Sequence, residues 1–330
     1  MSWSEKHVLV TGAGGFIGSH LVGLLANEGA RVRAFVHYNS RNDWGNLEFL
    51  SDAQMERVEV VMGNVEDAGS VDAAVAGTDC VFHLAALIGI PYSYVAPRSY
   101  VATNISGTVN VLEAVKRRDV PRMVHTSTSE AYGTALYVPI DEKHPLQGQS
   151  PYSASKIGAD KLAESYYRSF GTPVATIRPF NTFGPRQSAR AVIPTVISQL
   201  LSGSDVVRLG SLTPERDLTY VEDTARGFMA VATCDEALGD VTNVGRGSAV
   251  TIGELAEMLV GMVNPDARVE SVEERVRPGK SEVMQLVCGN AKAKETLGWE
   301  PTVSLEEGLR RTVEFIREHL DLYRPEEYTV

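Results

Sequence analysis

Along the first half of the chain, short apolar runs alternate with amphipathic stretches at a regular spacing. "HVLVTG" leads through a glycine-rich turn into "GSHLVGLLANEG", whose apolar positions recur at helical spacing. The runs "VRAFVH", "VEVVMGNV" and "CVFHLAA" follow, with the helical "DAGSVDAAVAG" before the last of them. A longer helical region, "SYVATNISGTVNVLEAVKRR", precedes "RMVHTSTS", the helix "SASKIGADKLAESYYRSF" and the run "VATIRPFN". Apolar strands this short, separated by helices, predict a parallel sheet covered on both faces, an α/β doubly wound arrangement.

Beyond about Pro179 the rhythm becomes irregular. A helix "IPTVISQLLSG", a strand-like "LTYVED", the segment "TNVGRG", a helix "TIGELAEMLVGMV" and a terminal helix "SLEEGLRRTVEFIREHL" predict a smaller mixed α/β lobe. The expected division is 1–180 for the sheet domain, with 218–250 returning to it. Residues 181–217 and 251–330 would form the second lobe, with a ligand cleft between the two.

Composition narrows the class. At 330 residues, 43% hydrophobic and 22% charged, the chain reads as an ordinary globular protein. A net charge of -11 argues against nucleic acid or an anionic membrane as partner, so a phosphorylated ligand would need local cations. Cys80, Cys234 and Cys288 lie far apart, without metal-ligand or CxxC spacing, and suggest reduced thiols. With no signal-peptide pattern and no run of membrane-spanning length, a cytoplasmic location is expected.

The turn "TGAGGFIGSH" places Gly12, Gly15 and Gly18 between the first strand and first helix. Glycines there permit a tight bend and close backbone approach, and the helix N-terminus receives a pyrophosphate. In this context the turn predicts a dinucleotide cofactor; elsewhere such a turn is mere punctuation. An NAD site usually carries an acid at the end of the second strand, for the ribose hydroxyls. Here "VHYN" stands in that place, and His37 with Arg41 would face a 2′-phosphate, which favours NADP over NAD; both also fit a solvated loop. Asn64 and Val65 of "GNV" lie where adenine would be touched. Leu84, Ala85 and Ala86 of "HLAA" offer small backing for the cofactor, and His83 reads as a packed strand histidine.

"YSASK" sets Tyr152 and Lys156 one turn apart on one helix face. A phenol with a pKa of about 10 is a poor base at neutrality and needs nearby positive charge, which Lys156 and an oxidised nicotinamide would supply. Thr128 of "TSTSEAYG" would donate to or accept from the same substrate hydroxyl.

Taken together, GxxGxxG, "STSE" and YxxxK in this order resemble an extended short-chain dehydrogenase/reductase of the nucleotide-sugar epimerase/dehydratase family, over essentially the whole chain. The resemblance implies a Rossmann-type domain, a C-terminal substrate lobe and a tightly held NAD(P) recycled in each turnover. The cofactor set it implies takes in Phe16, Ile17 and Asn104, and also Tyr152 and Lys156. On the substrate side it implies Asn181 and Arg186 from "RPFNTFGPRQ", Arg216 from "RDLTYVED" and Arg277 from "VRPGKSEV". The planar fork of arginine suits phosphate, although each arginine would serve equally in a surface salt bridge.

Thr128, Ser129 and Glu130 refine the expectation. Thr-Ser-Glu resembles the GDP-mannose 4,6-dehydratases and the UDP-glucuronate decarboxylases, where the dTDP-glucose 4,6-dehydratases carry Thr-Asp-Glu; 4-epimerases generally lack the glutamate. A 4,6-dehydratase is therefore expected first, then a decarboxylase, then a 4-epimerase, and last a non-catalytic NAD(P)-binding protein. Ser129 cannot itself protonate a leaving hydroxyl, so Glu130 would serve as both base and acid. Segments such as "FVHYNSRNDWG" and "RPFNTFGPRQSARAVIPT" most resemble the dehydratases of legionaminic acid and related nonulosonate pathways, which implies a GDP- or UDP-linked N-acetylglucosamine. The resemblance also implies a homodimer through a four-helix bundle formed by the two long helical regions. Val101, Ile105, Val109 and Leu112 fit such a face, or a face on the sheet.

Overall fold

The computed structural model describes residues 2–275 and 282–323. The strands are, in chain order, β1 (His7–Thr11), β2 (Arg31–His37), β3 (Val58–Gly63), β4 (Cys80–His83), β5 (Met123–Thr126), β6 (Val174–Pro179), β7 (Asn181–Phe183), β8 (Val206–Leu209), β9 (Glu215–Tyr220), β10 (Val241–Val244), β11 (Ala249–Thr251), β12 (Arg268–Ser271) and β13 (Gln285–Leu286). Seven of them form one sheet in the order β10-β6-β5-β4-β1-β2-β3, with every pair parallel. The order reverses direction between β1 and β4. In open α/β sheets the crevice at such a switch point, outside the carboxyl ends of the strands, receives the ligand.

Alternation along each strand feeds two cores. Val8 and Val10 face the helices Phe16–Asn27 and Val221–Thr233, whose Leu21, Leu25, Phe228 and Val231 are buried. Leu9 faces the opposite layer, where helices Ala68–Val75, Gly107–Arg117 and Pro151–Phe170 contribute Val71, Leu112 and Ala163. The doubly wound Rossmann-type class expected from the pattern is what the chain adopts.

The second lobe has its own core, built on helices Val192–Leu201, Ile252–Val263 and Leu305–Glu318 around Ile197, Leu259 and Leu309. Two small sheets, β11-β9-β13 with β7 beside β9, and β12-β8, edge that core. The strand-like "LTYVED" ends at Tyr220, and its last residues open the helix Val221–Thr233. Leu218 to Tyr220 and strand β11 pair in the small sheet, so the part of 218–250 that lies in the large sheet is that helix and β10. No helix among the described residues is long and apolar enough to cross a membrane.

Candidate active site

The floor of the site is the glycine turn. Gly12 has φ +69°, and a Cβ there would stand 2.8 Å from the Ala85 nitrogen; one on Gly18 would stand 2.2 Å from the Gly12 carbonyl. Gly15 caps the helix Phe16–Asn27 without any side-chain hydrogen bond, and the first turn carries no acid. The result is a bare, electropositive helix end under a backbone cradle, which fits a dinucleotide pyrophosphate. Phe16 and Ile17 open that helix. Gly14, which the sequence reading passed over, is closed from above: its Cβ would meet the Trp44 carbonyl at 2.7 Å.

One wall is the loop after β4. Thr11 Oγ1 accepts from the Leu84 and Ala85 amides, both at 3.1 Å, and bonds His83 Nδ1 at 2.9 Å. His83 also meets Thr108, and burial holds it neutral, as its reading as a packed histidine requires. Asn104 departs from expectation. It sits in a π-helical turn, Val101–Ser106, and its amide is spent within the protein: Oδ1 accepts from Leu87 N, and Nδ2 donates to Leu87 O and to Ser155 Oγ. Its amide ties the wall loop to the helix Pro151–Phe170. Ala86 continues the wall.

At the far end, Asn64 Oδ1 accepts from Glu66 N, and Val65 is packed under Gly107. His37 is exposed at the end of β2. The Arg41 side chain is 85% exposed and lies 3.8 Å from Asp43, an acid of the same loop that tempers the charge argument for a 2′-phosphate.

The candidate catalytic residues come from the end of β5 and the helix Pro151–Phe170. Ser150 and Ser153 form a reciprocal cap, and Pro151 occupies the first turn, so the helix starts just where Tyr152 is needed. Tyr152 shares a hydrogen bond with Thr128, and Glu130 is close enough to act on its phenol electrostatically. Burial pushes that phenol well up. Lys156 is buried and donates to the Thr126 carbonyl; burial lowers it to about 8, while Asp160 opposes the shift. Thr128 accepts from Glu130 N at 3.3 Å, which caps the short helix Ser129–Tyr132. Ser129 is buried within that turn. Thr128, Ser129, Glu130, Tyr152 and Lys156 thus converge.

The expected substrate residues divide. Asn181 stands at the start of β7 with its Oδ1 buried and without a protein partner, an acceptor fit for a ligand donor. Arg216 on β9 is paired with Glu282 at 2.9 Å, so a diphosphate would have to compete with that carboxylate. Arg186 is a correction. Its backbone is left-handed at φ +69°, and its guanidinium reaches the Phe49 carbonyl and Ser19 on the first helix, over the Phe49 ring. That geometry makes it a seam between the lobes. Arg277 lies outside the described residues.

Sequence reasoning missed three groups beside the site. Arg190 brings its guanidinium against Gly89, next to Tyr100, which packs edge-on to Tyr152 at 6.3 Å. Asp160 and Arg178 form a buried pair behind Lys156. Asp160 carried a signal, being one turn beyond Lys156 on the same face. Among the described residues no cluster of metal-ligand type occurs.

Comparison with known proteins agrees with this arrangement. Residues 9–312 match the family described as GDP-mannose 4,6 dehydratase. A dTDP-glucose 4,6-dehydratase of Actinoplanes sp. is 35% identical over 94% of this chain and 97% of its own. Among solved structures, a double mutant of DesIV of Streptomyces venezuelae, a dTDP-glucose 4,6-dehydratase, with NAD and DAU bound, superposes with a TM-score of 0.85 at 31% identity, covering 96% of this chain and 99% of that one. A UDP-N-acetylglucosamine 4-epimerase from Methanobrevibacter ruminantium M1 reaches 0.87 at 30% identity, over 96% and 99%. With a glycine cradle at the first helix, a Thr–Tyr–Lys set beyond the carboxyl end of β5, next to the strand at the sheet's switch point, and a family match over nearly its whole length, the chain belongs to the nucleotide-sugar dehydratase and epimerase family of extended short-chain dehydrogenase/reductases.

Proposed function

We propose that the protein is an NAD(P)-dependent nucleotide-sugar 4,6-dehydratase. The observation that supports this reading is that Glu130, whose backbone amide donates to Thr128, lies near enough for its charge to act on the Tyr152 phenol, and an enzyme that only epimerises has no task for that carboxylate. When bound at the glycine turn, NAD(P) would supply hydride-acceptor and hydride-donor chemistry. Tyr152 takes the proton of the sugar's 4-hydroxyl while Thr128 holds that hydroxyl. Lys156 furnishes part of the positive charge that a buried phenol needs before it can ionise. Oxidation at C4 acidifies the C5 proton, which Glu130 removes. The hydroxyl on C6 then leaves as water with the proton that Glu130 returns, and Ser129 orients it; as C6 is reduced, C5 takes a proton from solvent, and Tyr152 releases to solvent the one it took from the 4-hydroxyl.

The substrate class in this proposal is a GDP- or UDP-linked hexose or N-acetylglucosamine, supported by the resemblance to nonulosonate-pathway dehydratases. Asn181 and Arg216 would take the sugar-diphosphate. A homodimer is part of the same reading: Val101 and Phe170 are 51% and 57% exposed on the two long helical regions, whereas Leu112 is spent in the core.

The test is incubation of the NAD- or NADP-loaded protein with GDP-, UDP- and dTDP-sugars, followed by mass spectrometry and NMR. Loss of one water supports the proposal. Loss of carbon dioxide, or an unchanged mass with an altered sugar spectrum, would replace it with decarboxylation or epimerisation.

A further inference from the structure

Three successive residues at the end of β5 are each matched to one residue on a single face of the catalytic helix. The Thr126 carbonyl takes the Lys156 ammonium, and Thr128 shares a hydrogen bond with Tyr152. Between them, Ser127 Oγ donates to Asp160 Oδ2 at 2.5 Å. Asp160 is 5% exposed and is built in from every side: His125 Nε2 lies 3.1 Å from Oδ1, and Arg178 Nη2 donates to Oδ2 at 2.8 Å. Arg178, itself 2% exposed, also donates through Nε to Ser127 Oγ at 3.0 Å, and its plane lies over the Tyr132 ring at 4.6 Å. Ser127, His125, Asp160 and Arg178 are given no part in binding or transforming a sugar nucleotide in the scheme above, and burying an ion pair is seldom worthwhile for stability alone.

We propose that Asp160, with Arg178 as counter-ion, is a positioning residue that holds the Thr126–Thr128 segment against Lys156 and Tyr152 and keeps Lys156 charged. This rests on the dehydratase reading only through the roles given to Lys156 and Tyr152. The charge balance is simple. Lys156 and Arg178 are two cations and Asp160 is one anion, which leaves a single positive charge behind the phenol. The remaining titratable groups facing Lys156 are His83 and His125, which burial keeps neutral, and Tyr100, Tyr152 and Glu130 at the mouth. Without the Asp160 anion, two cations would stand unpaired in a dry site, and Lys156 is the one able to shed its proton.

The test is 13C NMR titration of the lysine ε-carbons in the cofactor-loaded protein, with the Lys156 signal assigned by its loss in Lys156→Gln. Asp160→Asn keeps the size of the side chain and one of its two acceptor oxygens but removes its charge, and should move the Lys156 midpoint down by about one unit or more. Arg178→Gln removes the opposing charge and should move it up. It also tests the coupling should Asp160→Asn fail to fold. Ser127→Ala removes the middle rung without changing charge; it should leave the midpoint in place while slowing turnover. A Lys156 midpoint that moves in neither charge variant would overturn the proposal, and no part of that readout depends on which sugar nucleotide is turned over.

Discussion

At the scale of single residues, the dehydratase proposal turns on Glu130. Glu130→Gln should still allow cofactor reduction on mixing with substrate, seen at the nicotinamide absorbance band, yet release no water by mass spectrometry. Lys156 gives a prediction in pH. Its folded value of about 8 lies below that of an exposed lysine, so the folded state carries the cost of a buried charge below that pH and is relieved of it as pH rises from 8 toward the unfolded value. Activity has the opposite slope, because the phenol loses its supporting cation as pH passes through 8. Lys156→Met should accordingly abolish turnover while raising stability at neutral pH, by up to about 2 kcal/mol in urea denaturation. The two arginines that the family pattern groups together should part company. Arg216→Ala should raise KM for the sugar nucleotide at least tenfold. Arg186→Ala should leave KM nearly unchanged and lower stability by about 1 kcal/mol through the lost contacts with Phe49 and Ser19.

At the scale of elements, much was legible because the signals are local. The alternation that sends Val8 and Val10 to one core and Leu9 to the other is written in "HVLV", and the helix read from Ser153 in fact starts two residues earlier, at Pro151 behind its Ser150 cap. The π-helical turn Val101–Ser106 was not legible, since one widened hydrogen-bonded turn leaves apolar spacing nearly undisturbed. Arg186 was misread for a related reason: its direction is set by a left-handed backbone and by Phe49, which is remote in sequence. Asp160 was visible at the fourth position after Lys156 but looks the same as a solvated helix pair until β6 places Arg178 beside it. The glycine turn offers an element-level check. In Gly12→Ala the added Cβ meets the Ala85 backbone in a conformation that L-residues avoid, so cofactor retention after gel filtration should fall sharply, with about 1–2 kcal/mol lost in stability.

At the scale of the whole molecule, the exposed apolar side chains of the two long helical regions should be covered by a second copy. Light scattering should give twice the chain mass, and the double substitution of Val101 and Phe170 by Asp should give the monomer. The position of β10 has its own consequence. It forms the border of the seven-stranded sheet beside β6, but it is made only after β7, β8 and β9 of the other lobe. During synthesis on the ribosome, β6 must therefore wait as an unpaired margin while more than sixty further residues emerge, exposed to any extended segment nearby. A fragment ending before Val241 would retain the cofactor cradle and the Tyr152–Lys156 pair yet lack its closing strand. Such a fragment should aggregate when expressed, so this enzyme is not divisible at the boundary between its lobes.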